Sequence, residues 1–208
     1  MNETEHAAYN DRLDQWSLKF EELLATRRRF SPLNATEERT VALLRLHMHN
    51  AYVNLKCCPP GTYGADMMMW DQFTPVFVKM LEYAAIAAGL DTDGDSDPQP
   101  VFHTELGIVS GVISIAGKCR DPLIRRSAIA LLLADTFQEG IWSSVLAARV
   151  ARRIVIMEEA GRDVHSPADV PQEARLRRLR VRISPESRRA EILYGFLHTT
   201  YEEVLEWQ

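Results

Sequence analysis

Apolar residues recur at steps of three and four along most of this chain of 208 residues, and that spacing is typical of amphipathic helices. The pattern stops where Pro59, Pro60 and Gly61 follow one another, because proline lacks a backbone donor and glycine frees the backbone. The intact segments predict helices at about 5–28, 36–56, 66–90, 104–118, 121–134 and 139–159. Because short connections favour antiparallel neighbours, we expect a mainly α fold, an antiparallel bundle of about six helices.

The C-terminal part has a different period. Beyond residue 176 apolar side chains alternate with arginines, and a Ser-Pro-Glu-Ser turn at 184–187 separates two apolar runs. These runs consist of Leu179, Val181 and Ile183 before the turn and Ile192, Tyr194 and Phe196 after it. A period of two indicates strands, so we expect a β-hairpin and tail at about 175–208, with a short helix over 201–208. Together with helices over about 5–160, this predicts a single domain over 1–208.

Composition and charge argue against several classes of protein. With 46% hydrophobic residues the chain can bury a substantial core. The net charge of −5 gives no basic field for phosphates, so we expect no direct nucleic-acid partner. The most apolar window, 106–116, is too short to cross a bilayer, and we expect no membrane partner. Three cysteines, two of them adjacent, form no disulfide framework, which favours a cytoplasmic or nuclear location.

We predict neither a metal site nor a cofactor. His47 and His49 are two residues apart, whereas helical metal ligands are spaced three or four apart. The aspartate-rich loop 91–97 resembles a calcium loop, in which glycine stands at the sixth position and glutamate at the twelfth. Here Gly94 is fourth and Phe102 is twelfth, so a flexible acidic loop is the simpler interpretation. The sequence also lacks a Walker loop, a dinucleotide glycine fingerprint and an H-E-x-x-H motif.

The segment that follows the proline pair has the most unusual composition in the chain. It is rich in methionine and carries Tyr63 and Trp70, and such residues can wall a pocket for a bulky hydrophobic small molecule. The same residues also suit core packing, because methionine fills irregular gaps. The candidate ligand-binding residues are Tyr63, Met67, Met69, Trp70 and Trp142.

Five titratable residues are candidates for acid–base chemistry. His47 lies three residues after Leu44 on an apolar helical stripe, and His103 begins an apolar helix. With Asp66, Asp71 and Glu139 they could donate and accept protons if they surrounded one apolar cavity. The simpler interpretation is structural, since acidic groups near helix starts are stabilised by the helix dipole.

Four motifs together resemble a known family. The most specific is K-C-R-D-P-x-x-R-R-x-A-I-x-L-L at 118–132, followed by E-G-x-W at 139–142. The others are L-L-R-x-H at 43–47 and D-x-F-x-P-x-F at 71–77. The chain thereby resembles the C-terminal helical region of fungal binuclear zinc-cluster transcription factors. That family reads DNA through a six-cysteine cluster, and this chain has three cysteines.

The resemblance implies a stand-alone regulatory and ligand-binding domain, linked to fungal secondary metabolism and not itself binding DNA. Expected partners are a hydrophobic small molecule and a second copy or another protein, held through apolar helix faces. An alternative hypothesis is a cofactor-free cyclase, isomerase or dehydratase for a polyketide or terpenoid. The enzyme would need its titratable groups around one cavity, whereas the regulator needs two states and a partner.

Overall fold

The computed structural model describes residues 2–62, 66–89, 101–103, 107–140 and 142–206, with the backbone alone at a few of them. The mainly α prediction is confirmed. The helices of the described residues are α1 (Glu3–Phe30), α2 (Ala35–Cys57), α3 (Thr74–Ala88), α4 (Val109–Lys118), α5 (Pro122–Ala134) and α6 (Ser144–Glu159).

Local sequence explains where several helices begin. Asn2 and Asn34 each accept from the backbone N–H three residues on, and a glutamate at that third position bonds back, which forms a capping box. The Asp121 side chain accepts from Leu123 N and Ile124 N at the start of α5. Pro122 occupies the first turn of that helix, where its missing N–H costs nothing.

Three predicted helices are shorter than expected, and the one predicted over 104–118 begins only at Val109, after His103 in a short strand. The segment predicted as a helix over 66–90 begins as a 3-10 helix, Met68–Phe73, and becomes α-helical at Thr74, where Pro75 fits the first turn. The segment predicted at 139–159 begins with extended backbone, and α6 starts only at Ser144. The Ser143 hydroxyl accepts from Leu146 N, so a serine cap determines that start.

The C-terminal sheet contains the predicted hairpin and a third strand. Strands β4 (Arg178–Ser184), β5 (Arg189–Gly195) and β6 (Thr200–Glu206) are antiparallel in the order β4-β5-β6. Strand β6 replaces the short helix expected over 201–208. Earlier in the chain, β1 (Val101–His103) pairs in parallel with β2 (Phe137–Glu139), and β2 pairs antiparallel with β3 (Trp142–Ser143).

Helix α6 lies between two apolar clusters. One face contacts the larger cluster, built from α2 to α5, through Ala147 and Ala151. The other face contacts the sheet through Val150 and Ile154, beside Ile192. The remaining buried members of this second cluster are Leu146, Leu176, Ala190 and Tyr194. The sheet is thus attached to the helices through α6.

Helices α2 and α4 approach each other closely at a glycine. A Cβ atom at Gly111 would lie 2.8 Å from Cγ of Leu46, which is completely buried. Any larger residue at this position would require Leu46 or the helices to shift.

Helix α1 buries only Leu24 fully and leaves apolar residues exposed at seven-residue spacing: Tyr9, Trp16, Leu23 and Phe30. None of the described helices has the length and apolar character needed to span a bilayer.

Candidate ligand-binding cavity

A cavity of about 430 Å³ lies between α2, the 3-10 helix, α4, α6 and the start of the C-terminal sheet. Helix α2 and the 3-10 region contribute Asn50, Asn54, Cys57, Cys58, Met67 and Trp70. Helix α4 contributes Ser110, Ile113, Ser114, Gly117 and Lys118. Trp142, Ile154, Leu176, Arg177, Arg178, Leu179 and Val181 complete the lining.

The cavity exists because one face of α4 carries small side chains. Ser110, Ser114 and Gly117 follow one another at steps of four and three, so they lie on the same face of the helix. A Cβ atom at Gly117 would meet nothing closer than Ile154 Cδ1 at 3.8 Å. Larger residues at these positions would fill the space.

The walls are apolar with a few polar groups on the helical side. Trp70 and Trp142 are the aromatic residues of the lining, and Ile113, Ile154, Leu176, Leu179 and Val181 add aliphatic surface. Of the charged residues in the lining, Lys118, Arg177 and Arg178 are all cationic, and the described lining contains no carboxylate. The described part of the cavity therefore favours an apolar ligand and disfavours a cation.

Lys118 is the last residue of α4, and two neighbouring residues hold its side chain. Its ammonium donates to Oδ1 of Asn54 and lies 4.4 Å from the centroid of the Trp70 ring. Burial lowers the pKa of Lys118 to about 8, and the neighbouring Arg120 charge acts in the same direction. A lysine in this condition gains stability from any anion brought beside it.

Residues of the K-C-R-D-P motif attach this end of α4 to α6. Arg120 donates to the carbonyl oxygen of Lys118 and forms an ion pair of 2.7 Å with Glu158. Arg125 forms a second ion pair of 2.7 Å with Glu158 and donates to the Ala116 carbonyl oxygen at 3.0 Å. These three charged side chains are completely buried.

Glu158 also anchors the opposite wall of the cavity. Its Oε1 accepts from the backbone N–H of Leu176 at 2.7 Å, and Leu176 lines the cavity. Burial alone would raise the pKa of Glu158, but the charges of Arg120 and Arg125 outweigh burial and lower it. One carboxylate therefore connects the end of α4 with the strand that faces it.

A second arginine fixes the 3-10 helix against the sheet. Arg175 is buried and donates to both carboxylate oxygens of Asp71, at 2.6 and 2.7 Å. It also donates to the Met67 carbonyl oxygen at 2.8 Å, while Met67 N donates to Oε1 of Gln172. The wall that contains Met67 and Trp70 is thereby attached to the segment leading into β4.

The residues predicted to bind a ligand lie partly around this cavity. Met67, Trp70 and Trp142 are in its wall. Met69 is outside the lining and packs against the larger apolar cluster. Tyr63 lies outside the described residues.

The predicted acid–base residues are not brought together at the cavity. Asp66 is exposed and accepts from Met68 N, and Asp71 is engaged by Arg175. Glu139 is buried, and its Oε1 accepts from Val109 N at 2.9 Å, at the start of α4. His47 is half-buried on α2, and neither it nor these three carboxylates lines the cavity. The side chain of His103 lies outside the description.

The thiols near the cavity are poor nucleophiles. Burial raises the pKa of Cys57 to about 12 and also raises the pKa of Cys58. Both thiols are therefore protonated near neutral pH. Within the described ranges, no three His, Cys, Asp or Glu side chains cluster as a possible metal site.

The most informative cavity residue, Lys118, was contained in the K-C-R-D-P motif but had no predicted role. Its position depends on Asn54 and Trp70, which come from other elements, so the local sequence gives no signal for it. The small residues Ser110, Ser114 and Gly117 were a usable signal, because their spacing marks one face of an apolar helix.

Part of the chain is similar to a curated fungal regulator. The aspercryptin biosynthesis cluster-specific transcription regulator atnN of Emericella nidulans is 34% identical over 134 residues, which cover 56% of this chain and 22% of the regulator. The chain thus spans about a fifth of that regulator's length. No family model matches the chain. No solved structure matches it either. The chain therefore contains a region related in sequence to a fungal cluster-specific transcription regulator.

Proposed function

We propose that this chain is a regulatory domain linked to fungal secondary metabolism, and that a mostly apolar small molecule bound in the central cavity controls it. The cavity between α2, α4 and β4 is the observation that carries the proposal. The similarity to a cluster-specific transcription regulator supports the regulatory part. A net charge of −5 supports a role without direct DNA binding. We place the protein in the nucleus or cytoplasm and treat 1–208 as one domain.

The dimensions and chemistry of the cavity suit a small organic ligand. Its volume of about 430 Å³ lies within the roughly 300–1,000 Å³ usual for such sites. Trp70 and Trp142 supply apolar surface, and Asn50, Asn54 and Ser114 supply hydrogen-bonding groups. Apolar walls with few polar groups are the usual composition of a ligand pocket.

A chain of contacts connects the cavity with the C-terminal sheet. The cavity wall on β4 begins at Leu176, whose N–H is held by Glu158, and Glu158 is connected through Arg120 to Lys118. A ligand that prefers one spacing of α4 and β4 shifts the population toward that spacing. Strand β5 pairs with β4 and β6 pairs with β5, so a shift of β4 would carry the other two strands with it.

Binding is better supported than catalysis. A cyclase or isomerase needs a proton donor and acceptor beside its substrate. The described lining contains no histidine and no carboxylate, and its thiols have raised pKa values, so Lys118, with a pKa of about 8, lacks a second acid–base group of these kinds beside it. We therefore favour a sensor over the enzyme hypothesis.

The proposal is tested by capture of metabolites. Immobilised protein is incubated with a metabolite extract of a fungus that produces secondary metabolites, and retained compounds are identified by mass spectrometry. The matched control is Gly117→Leu, whose side chain enters the cavity while its backbone stays helical. We expect compounds that are retained by the wild type, released unchanged, and not retained by Gly117→Leu.

Two results would count against the proposal. Catalytic conversion of a compound by the wild type, absent in Gly117→Leu, would establish the enzyme hypothesis instead. Equal retention by both proteins would show that the cavity is not the binding site.

A further inference from the structure

We infer that the ligand is an apolar small-molecule acid, and that Lys118 binds its anionic group where α4 ends in the cavity wall. The inference rests on the proposed function and specifies the chemical class of the ligand. It also assigns Lys118 the role of determining specificity for an acid over the corresponding neutral molecule.

The charge distribution of the lining is the first observation. The whole chain carries 29 acidic and 24 basic residues, yet the described lining contains no carboxylate, and Lys118 of α4 is a cation in that lining. Buried arginines elsewhere are matched with acids, as in Arg120 with Glu158 and Arg175 with Asp71. The cavity is thus a site where positive charge lacks its protein counterpart among the described residues.

The bonding of Lys118 is the second observation. An ammonium has three N–H donors, and Asn54 accepts one of them. The Trp70 ring beside it attracts the cation without accepting a strong hydrogen bond. No described carboxylate forms an ion pair with Lys118, so its bonding capacity matches the oxygen of an incoming anion.

A third observation is the Ser114 hydroxyl, which lies on α4 close to Lys118. The Ser114 Oγ is shielded from solvent and has no hydrogen-bond partner among the described residues. Ser114 lies one helical turn before Lys118, on the same face. The hydroxyl is shielded in the ligand-free cavity, so it would donate to the second oxygen of a carboxylate only after a change of its side-chain rotamer.

The energetics of Lys118 favour an anion. Burial lowers the pKa of Lys118 to about 8, which means that its cationic form is destabilised in the ligand-free cavity. An anion beside the ammonium removes that penalty, whereas a neutral ligand does not. The apolar remainder of the ligand would lie along Trp142, Ile154 and Leu179.

The test compares two fluorescent probes that share one ring skeleton. One is 8-anilino-1-naphthalenesulfonate, an anion at all usable pH values, and the other is the neutral N-phenyl-1-naphthylamine. Binding is followed by energy transfer from tryptophan, since Trp70 and Trp142 line the cavity. We expect Lys118→Met to weaken binding of the sulfonate about tenfold, the loss of one charge-assisted bond, and to change binding of the neutral probe by less than about twofold.

Two further variants make the result specific. Lys118→Arg keeps the cation and should keep the preference for the sulfonate, whereas Gly117→Leu fills the cavity and should abolish binding of both probes. Dodecanoic acid should displace the sulfonate more effectively than dodecanol does. Circular dichroism of each variant shows whether it has folded, and a misfolded Lys118→Met is replaced by Lys118→Gln.

The possible failures are distinguishable. If both probes bind equally to the wild type and Lys118→Met, and Gly117→Leu removes both, the cavity binds ligands without preferring acids. The inference is then wrong and the proposed function stands. If Gly117→Leu leaves binding of both probes unchanged, the cavity is not the site and both proposals fail.

Discussion

Arg120 and Glu158 form an ion pair of 2.7 Å in which neither side chain has any exposure to solvent. Arg125 forms a second ion pair with the same carboxylate, so two cations share one anion inside the protein. Buried charges are costly to leave unpaired, and each of these groups depends on the others. Three motif residues of the K-C-R-D-P segment therefore have a structural role: Arg120 and Arg125 as ion-pair partners and Asp121 as a helix cap.

Replacing Glu158 by Gln should lower the free energy of unfolding by about 3–5 kcal/mol, because buried Arg120 would lose its counterion and buried Arg125 would keep only the more distant Glu159. Urea denaturation measures this loss. The matched control is Glu191→Gln, since Glu191 pairs with Arg182 and Arg189, whose side chains are 74% and 45% exposed. The control should lose no more than about 1 kcal/mol. Equal losses would contradict a special role for Glu158.

Acid should destabilise the wild type partly through the same carboxylate. Burial opposes ionisation of Glu158, but the two arginines lower its pKa below the ordinary value of 4.5. Its contribution to stability is therefore fully present above pH 4.5 and is lost as the pH falls toward the pKa of the folded state. Urea denaturation at a series of pH values should show this loss in the wild type and a smaller slope in Glu158→Gln.

Two glycines of α4 should respond oppositely to alanine. Gly111→Ala would place a Cβ 2.8 Å from Leu46 Cγ and should cost about 1–3 kcal/mol through overpacking. Gly117→Ala would place its Cβ 3.8 Å from Ile154 Cδ1, an ordinary contact distance, and should stabilise the helix by about 0.5–1 kcal/mol. Thermal denaturation of the pair compares the two positions within one helix. A loss at Gly117 would show that the cavity is not open on that side.

Removing the negative charge of Asp71 should loosen the 3-10 helix without unfolding the protein. Asp71→Asn leaves Arg175 with its backbone acceptors, so we expect a local loss of about 1–3 kcal/mol. Hydrogen exchange should become faster over Met68–Phe73 and stay unchanged in α5. Asp66→Asn is the control, because Asp66 is exposed and accepts from the backbone N–H of Met68.

Binding of the anionic probe should weaken as the pH rises through about 8, because the ammonium of Lys118 then loses its proton. The sulfonate stays charged, so the change belongs to the protein. The groups facing Lys118 are Asn54, Trp70, Arg120 and the thiols of Cys57 and Cys58, of which Cys57 stays protonated to about pH 12. Fluorescence titration of Lys118→Arg should show no such decline. An identical decline in that variant would assign the titration to another group.

Sequence predicted elements whose cause is local. Asp121 and Pro122 indicated the start of α5, because a cap and a first-turn proline are determined within a few residues. Strand β6 was predicted as a helix, since glutamates and leucine at 202–206 are good helix formers. Pairing with β5 overrides that preference, and pairing is a property of the folded chain.

The predictions for the cavity residues also divide into those with a local cause and those that depend on tertiary packing. Methionine and tryptophan composition indicated Met67, Trp70 and Trp142, which lie in its wall. Asp71 and Glu139 were candidates for acid–base chemistry, but their partners are Arg175, 104 residues away, and Val109 N, 30 residues away. Contacts between residues so distant in sequence depend on tertiary packing, which the spacing of motifs does not reveal.

The close contact of Gly111 with Leu46 also bears on whether the helical side or the sheet side of the cavity moves when a ligand binds. Helices α2 and α4 are in contact there without slack, so the helical side is stiff. Leu176, two residues before β4, is held by Glu158, and the far end of β4, Ser184, is paired with Arg189 of β5. A ligand too large for the resting cavity would therefore displace the sheet. We expect this displacement to be smallest beside Leu176 and greatest at the opposite end of β4.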